Sequence, residues 1–222
     1  MVGDESSPQA KTESTTQLVE RARLWVQSGE RRILGIVGTP GAGKSTVCEA
    51  LKTALGDNVV IVGMDGFHLA NAELVRLGRR NRKGAPDTFD TDGYISLLAR
   101  LRSQTETTIY APLFERSLEE SIGSAVSIRA TTPLVITEGN YLLHDAHGWA
   151  GVADQLDESW FLDVDGDVRR DRLIARRTSY GHSLAEATTW VHDVDEANAA
   201  IAEGSRERAD LIVHLTYEGD SV

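Results

Sequence analysis

The segment that most constrains this chain is a glycine-rich loop between an apolar run and a helix-like stretch. The apolar run is Ile33 to Val37, and the helix-like stretch is Val47 to Leu55. The loop fits the pattern G-x-x-x-x-G-K-[ST], and its residues are Gly38, Thr39, Pro40, Gly41, Ala42, Gly43, Lys44, Ser45 and Thr46. Glycines let backbone N–H groups point at phosphate oxygens, and the helix adds its positive N-terminal dipole. The sequence therefore predicts a site for the phosphates of a nucleoside triphosphate.

Two side chains of the loop carry separate chemical roles. Lys44 can reach the β- and γ-phosphates, and the Ser45 hydroxyl can ligate Mg²⁺. We therefore expect ATP and Mg²⁺ as cofactors. The loop does not identify the reaction, because phosphoryl donors, switches and motors share it.

The length, charge and cysteine content of the chain limit the kinds of partner and the cell compartment that we expect for it. A chain of 222 residues with a formal net charge of −11 is long enough for one domain and argues against broad binding to nucleic acids or anionic membranes. A single cysteine, Cys48, cannot form an internal disulfide, so we expect a protein of the reducing cytoplasm. We expect the Cys48 thiol to be buried on the helix that follows the loop. We interpret the polar residues 1–13 as a disordered tail and residues 14–222 as a single domain.

Alternation of strand-like and helix-like segments predicts an α/β fold with a mostly parallel sheet flanked by helices. The expected core strands are residues 31–37, 59–62, 133–136, 160–164 and 211–215. Residues 107–110 and 125–129 predict a small hairpin off the main sheet. Ser183 and Glu186 predict a capping box that starts a long helix ending at Gly204, with its apolar face at Trp190, Val194, Ala197 and Ile201.

Carboxylates follow several of these strands, at the sheet edge where ligands bind. A turn into a helix explains Asp163 and Asp165. Asp65 and Glu138 are each followed by glycine and are predicted beside the phosphate loop. One such carboxylate can accept the proton of an attacking hydroxyl, and the other can hold Mg²⁺.

An arginine-rich helix supplies positive charge. Arg169, Arg172 and Arg176 share one helical face, and Arg177 follows. A solvated basic face is one interpretation. The excess of arginine in an acidic chain favours the other, an anion-facing lid.

These motifs together resemble a known family. The phosphate loop, residues 65–68 (Asp-Gly-Phe-His), Phe89-Asp90 and residues 138–141 (Glu-Gly-Asn-Tyr) look like the P-loop kinases that include uridine kinase, phosphoribulokinase and bacterial type I pantothenate kinase. Residues 198–212 are similar to the close of the pantothenate kinases. The resemblance implies transfer of the ATP γ-phosphate to a small-molecule hydroxyl.

The resemblance also implies roles for single residues. Asp65 matches the family's general base, Glu138 its Mg²⁺-linked acid and Asp90 a contact to a substrate hydroxyl. Arg176 or Arg177 matches the lid arginine, and the spacing leaves both open.

The sequence says less about the residues that bind the acceptor. Polar or aromatic residues near the predicted rim are candidate substrate contacts: His68, Lys83, Arg116 and Tyr141. The acceptor stays open between a nucleoside, a sugar and a pantothenate-like alcohol, and a homodimer stays open too.

A regulatory P-loop NTPase or nucleotide switch is the alternative function. A GTPase should carry [NT]-K-x-D and a transporter ATPase a Ser-Gly-Gly signature, and the chain has neither. The intact set of Lys44, Ser45, Asp65 and Glu138 argues against a binding module without turnover.

Overall fold

The computed structural model describes residues 8–216, in which one parallel sheet of six strands forms the centre. The strands of this region are β1 (Gln9–Ser14), β2 (Arg32–Gly38), β3 (Val59–Gly63), β4 (Thr108–Glu115), β5 (Glu120–Arg129), β6 (Leu134–Gly139), β7 (Glu158–Asp163) and β8 (Leu211–Thr216). The sheet order is β1-β8-β7-β2-β6-β3. The carboxyl ends of β2, β3 and β6 are therefore neighbours.

Helices cover both faces of the sheet. They are α1 (Thr15–Ser28), α2 (Lys44–Leu55), α3 (Asn71–Arg76), α4 (Thr91–Arg102), α5 (Ala150–Ala153), α6 (Gly166–Ser179), α7 (Leu184–Trp190) and α8 (Glu196–Glu203). Strands β2 and β6 are buried on both sides because two hydrophobic cores flank them, one containing Ile33 and Val135 and the other Leu34 and Ile136. Between residues 8 and 216, every helix is too short or too polar to cross a lipid bilayer.

The signals that start and end helices act largely as predicted. Ser183 and Glu186 form the expected capping box at the start of α7. Gly29, with a φ of 74°, ends α1. The residue that caps α1 is Ser14, which forms a second capping box with Gln17.

The predicted tail is partly wrong. Residues 9–13 are not disordered, because β1 extends the sheet by pairing in parallel with β8, from Gln9 opposite Leu211 to Ser14 opposite Thr216. Its polar side chains suit an edge strand, which needs backbone pairing but little burial. Residues 1–7 of the predicted tail lie outside the described residues.

The predicted apolar face of the long helix is partly wrong, because of its four residues only Ile201 packs against the core. A π-helical turn at Val191–Asp195 separates α7 from α8 and inserts an extra residue into the helical repeat. Ala197 is therefore exposed, while Asn198 is buried. Trp190 and Val194 line a cavity instead of the core.

The predicted hairpin is present and longer than expected. Strands β4 and β5 pair antiparallel as a separate two-stranded sheet. The hairpin packs closely on a 3₁₀ turn at Met64–Phe67, because an ideal Cβ on Gly66 would lie 2.7 Å from the Pro112 carbonyl oxygen. Only glycine at position 66 allows this approach, which brings the hairpin against the end of β3.

Candidate active site

The glycine-rich loop joins β2 to α2, as its sequence predicts. Gly43 caps α2 with a φ of 88°, and Gly41 has a φ of 82°. A Cβ on Gly41 would also lie 2.8 Å from the carbonyl oxygen of Arg169, so both backbone angle and space require glycine there. The N-terminus of α2 therefore opens towards the loop, an arrangement that binds phosphates.

Lys44 lies buried at the base of this loop. Its ammonium donates hydrogen bonds to the carbonyl oxygens of Gly38 and Thr39, at 2.9 and 3.1 Å, and to Asn140 Oδ1 at 2.6 Å. Burial lowers the pKa of Lys44, although the nearby carboxylates of Glu138 and Asp65 oppose this. The three oxygens hold the cation in place before any phosphate arrives.

Asp65 and Glu138 meet at the carboxyl ends of two neighbouring strands. Gly63, the last residue of β3, pairs with Glu138 of β6. An ideal Cβ on Gly63 would lie 3.4 Å from Glu138 Oε1, so this carboxylate lies beside the chain that leads to Asp65. Burial, and then the negative charge of Asp65, raises the pKa of Glu138.

A single open cavity of about 880 Å³ contains these groups. Its lining includes most of the side chains predicted for the site: Lys44, Ser45, Asp65, His68, Lys83, Arg116, Glu138, Arg176 and Arg177. From the glycine-rich loop, Pro40 and Gly41 also line it. Ala42 packs in the hydrophobic core instead, and Thr46 lies exposed on α2.

The two candidate lid arginines have different surroundings. Arg177 is partly buried, with its guanidinium 4.3 Å from the centre of the Trp190 ring and Nε 3.8 Å from Asp195 Oδ2. Arg176 is exposed at the cavity, and its guanidinium makes no hydrogen bond or ion pair within residues 8–216. Of these two side chains, Arg176 is therefore the one whose guanidinium stands at the cavity without a partner among residues 8–216.

Arg169 supports the glycine-rich loop from behind. It is buried, donates to the Pro40 carbonyl oxygen at 3.0 Å and pairs with Glu196 at 3.2 Å. Arg172 on the same face also donates to the loop, with Nη1 3.5 Å from the Gly41 carbonyl oxygen. Two arginines of this face thus contact the loop, and Arg176 faces the cavity.

The side of the cavity beyond Asp65 is aromatic and basic. His68 Nδ1 lies 2.9 Å from the Asp65 carbonyl oxygen, and its ring packs against Phe114. Burial lowers the pKa of His68, which favours the neutral ring. Lys83 donates to Asn71 Oδ1 at 2.9 Å and lies over the Phe114 ring, and Arg116 reaches Asp65 Oδ2 at 3.4 Å.

The structure does not bring Asp90 and Tyr141 into this cavity. The Asp90 carboxylate accepts from the Gly93 N–H at 3.0 Å and caps α4. The Tyr141 hydroxyl donates to the Gly84 carbonyl oxygen at 2.7 Å, and its ring is buried among aromatic residues. Both side chains therefore have structural partners.

Several residues that line the cavity are not predicted from the sequence. Asn140 belongs to the Glu-Gly-Asn-Tyr motif but was given no role, although it holds Lys44. Asn198 opens the closing segment that resembles the pantothenate kinases, and Asp195 lies in no motif. The π-turn that brings both to the cavity is not visible in the helical pattern.

The residues present fit the expected cofactors. The N-terminus of α2 and Lys44 suit a triphosphate, and Ser45 and Glu138 offer two oxygen ligands at the same cavity. No group of three or more His, Cys, Asp or Glu side chains within residues 8–216 could hold a metal by itself. Mg²⁺ usually takes one or two protein ligands together with phosphates and water, so the oxygens of Ser45 and Glu138 are ligands of the kind it needs.

Comparison with known proteins agrees with this geometry. Residues 33–220 match the Phosphoribulokinase / Uridine kinase family. A proposed uridine kinase of Schizosaccharomyces pombe is 32% identical over 182 residues, 78% of this chain and 77% of that protein. A pantothenate kinase of Rhizobium rhizogenes is 26% identical over 213 residues, 82% of this chain and 64% of that protein.

A solved structure is also similar. The crystal structure of a proposed fructose transport system kinase from Silicibacter sp. TM1040 has a TM-score of 0.81 and 34% identity, and covers 90% of this chain and 98% of that chain. The family match and this likeness confirm the predicted α/β P-loop NTPase fold.

Proposed function

The chain belongs to the phosphoribulokinase / uridine kinase family and is a small-molecule kinase, and we propose that it transfers the γ-phosphate of ATP to a hydroxyl group of a nucleoside, a sugar or a pantothenate-like alcohol. The observation that carries this proposal is the meeting of Lys44, Asp65 and Arg176 around one open cavity. The related proteins bear names with three different acceptors, so family membership leaves the acceptor open.

The phosphate side of the cavity positions the donor. Backbone N–H groups of the loop and the N-terminus of α2 would bind the β- and γ-phosphate oxygens. Lys44 would exchange its carbonyl and amide partners for phosphate oxygens. Arg176 would approach the γ-phosphate from α6 and stabilise the charge that develops on it during transfer. Ser45 and Glu138 would hold Mg²⁺, which supplies further charge neutralisation.

Asp65 supplies the base. Its carboxylate lies at the same cavity and is held by Arg116 at 3.4 Å. An acceptor hydroxyl between Asp65 and the γ-phosphate would give its proton to Asp65 as its oxygen attacks phosphorus. The wide, partly aromatic side formed by His68, Phe114 and Lys83 offers space for the rest of the acceptor.

A coupled assay of ADP release tests the proposal. The purified protein is incubated with ATP and Mg²⁺, and then with single acceptors: uridine, D-ribose, D-fructose, D-glycerate, glycerol or pantothenate. We expect one class of alcohol to raise ADP release by at least tenfold over the rate without acceptor. Steady release that no alcohol accelerates would contradict the proposal and favour a regulatory NTPase.

Nucleotide binding is tested separately by calorimetry. Lys44→Ala should weaken ATP affinity, because the residue contributes a buried cation at the phosphate site. Unchanged affinity in this variant would contradict the loop assignment. The cytoplasmic location, a homodimer and the absence of nucleic-acid partners stay predictions.

A further inference from the structure

The loop between α3 and α4 carries four positive charges within five residues, at Arg79, Arg80, Arg82 and Lys83. Asp87 pairs with two of them. Its carboxylate accepts hydrogen bonds from both terminal nitrogens of Arg82, and Arg79 Nε lies 3.5 Å from Asp87 Oδ2. One carboxylate thus serves two of the four cations, and Arg80 and Lys83 are left to other partners.

Arg80 and Lys83 face the large cavity side by side. Both line it, whereas Arg79 and Arg82 do not. A 3₁₀ turn places the Lys83 backbone nitrogen 3.4 Å from the Arg80 carbonyl oxygen, and side chains at this three-residue spacing lie on the same side of such a turn. Burial lowers the pKa of Lys83, and the positive charge of Arg80 lowers it further. The cavity wall therefore holds two like charges close together.

Among residues 8–216, neither cation has an acidic partner at ion-pair distance. The Arg80 guanidinium is exposed at the cavity and makes no hydrogen bond to these residues. Lys83 is 9% exposed, and its ammonium donates to two neutral oxygens, Asn71 Oδ1 and the Glu119 carbonyl. The carboxylates of Glu119 and Glu120 act on the pKa of Lys83 only from a greater distance. A buried ammonium with one donor more than these two oxygens use favours an anionic ligand.

The pair lies apart from the cations that would bind ATP. Burial lowers the pKa of Lys44, on which the charges of Asp65 and Arg176 also act. Burial likewise lowers the pKa of Lys83, on which the charges of Arg80 and Asp65 act. Asp65 is therefore near both groups of cations. An acceptor whose hydroxyl lies at Asp65 can reach Arg80 and Lys83 with another part of its structure, without displacing the triphosphate.

We propose that Arg80 and Lys83 bind an anionic group, a carboxylate or a phosphate, that the acceptor carries besides the hydroxyl that receives the phosphoryl group. This inference rests on the proposed phosphoryl transfer and narrows its acceptor to an acidic alcohol. Arg80 would donate two parallel N–H groups to the anion, and Lys83 would donate its remaining N–H. A nucleoside or an unmodified sugar lacks this group and would bind without these contacts.

The test compares acceptors in pairs that differ in one anionic group. D-glycerate is paired with glycerol, pantothenate with pantothenol, and D-ribose 5-phosphate with D-ribose, so carboxylates and phosphates are tested separately. We expect kcat/KM for the charged member of one pair to be about 10²-fold higher than for the neutral member, because charge-assisted hydrogen bonds are lost with the anion. The pair that shows this ratio identifies the anion.

Variants of the loop then locate the effect. Arg80→Gln and Lys83→Gln should each lower this ratio at least about fivefold, mainly by raising KM for the charged acceptor. The matched control is Arg82→Gln, which removes the same charge from the same turn. Because the Arg82 guanidinium pairs with Asp87 and does not line the cavity, this variant should keep the ratio within about twofold. If Lys83→Gln does not fold, Arg80→Gln carries the same test, since the Arg80 side chain is exposed.

Three results overturn the inference. The first is an equal kcat/KM for both members of every pair in the unsubstituted protein. The second is a ratio that neither Arg80→Gln nor Lys83→Gln changes. The third is an equal loss in Arg82→Gln, which would assign the preference to the net charge of the turn. Phosphorylation of uridine or another neutral alcohol without any preference for an anion rejects the anion site alone. If no alcohol accelerates ADP release, the phosphoryl-transfer proposal itself fails.

Discussion

The two sides of the cavity are built in different ways. The phosphate wall, made of Gly41, Lys44, Ser45 and Glu138, lies at the ends of paired central strands and at the start of α2. The acceptor wall, made of His68, Lys83, Arg116, Asp195 and Asn198, comes from a 3₁₀ turn, a loop, the hairpin and the π-turn region.

This difference in construction separates the residues that act on every acceptor from the residues that select among acceptors. Strands β2 and β6 pair from Arg32 opposite Leu134 to Val37 opposite Gly139, so the phosphate wall is fixed by sheet hydrogen bonds and by buried apolar side chains. The acceptor wall depends on contacts between irregular segments far apart in the chain. Substitutions in the phosphate wall should therefore affect all acceptors equally, and substitutions in the acceptor wall should affect them selectively.

The largest expected effect is at Asp65, where the two walls meet. Asp65→Asn should lower kcat by a factor on the order of 10²–10⁴, because an amide cannot accept the hydroxyl proton. ATP affinity, measured by calorimetry, should change little. A variant with full activity would show that Asp65 is not the base.

Arg176 and Arg177, adjacent residues of α6, should differ in their effect on catalysis. Arg176→Ala should lower kcat by about 10²–10³-fold for every acceptor, the usual cost of losing a charge-stabilising donor. Arg177→Ala should lower kcat by less than about tenfold and should mainly lower the melting temperature, because Arg177 packs on Trp190 and faces the buried Asp195.

Steady-state kinetics and thermal melting of both variants decide this assignment. The reverse pattern would make Arg177 the lid arginine. Nearly unchanged kcat in both would mean that the arginines form only a solvated face.

The phosphate wall was predictable because its signals are local. Each signal occupies a few consecutive residues: the loop pattern, the apolar run before it, and the acidic residue that follows each of two later strands. Parallel pairing of those strands then brings Asp65 and Glu138 together. The buried Cys48 and the capping box at Ser183 are equally local, and the structure confirms both.

The acceptor wall was less predictable because its geometry depends on distant contacts. Asp90 and Tyr141 sit in motifs, yet Asp90 caps α4 and Tyr141 binds the Gly84 carbonyl. The π-turn shifts the helical repeat by one residue, so the pattern at Trp190 and Ala197 predicted the wrong buried face. Strand β1 was missed because an edge strand carries little apolar signal.

A smaller effect concerns the stability of the phosphate wall without ligands. Burial and Asp65 raise the pKa of Glu138, so the folded protein holds this proton more tightly than the unfolded chain. Stability therefore falls as the pH rises through the range between the ordinary value of 4.5 and the raised pKa. Glu138→Gln should raise the free energy of unfolding at pH 7 by about 0.5–2 kcal/mol while lowering activity.

Urea unfolding of the metal-free protein at several pH values measures this difference. It should shrink towards zero below pH 4.5, where the carboxyl is protonated in both states. A difference that stays constant with pH would show that the amide acts through packing and not through charge.

The smallest expected effect tests the boundary of the acceptor wall at Tyr141. Tyr141→Phe removes the hydrogen bond to the Gly84 carbonyl oxygen and should lower the free energy of unfolding by about 1 kcal/mol. Because the hydroxyl does not line the cavity, kcat/KM should stay within about twofold for each acceptor. Gly84 lies in the loop that faces Asn198 of the acceptor wall. If kcat/KM fell for one acceptor only, the hydrogen bond from Tyr141 would be shown to shape this wall from the layer behind it.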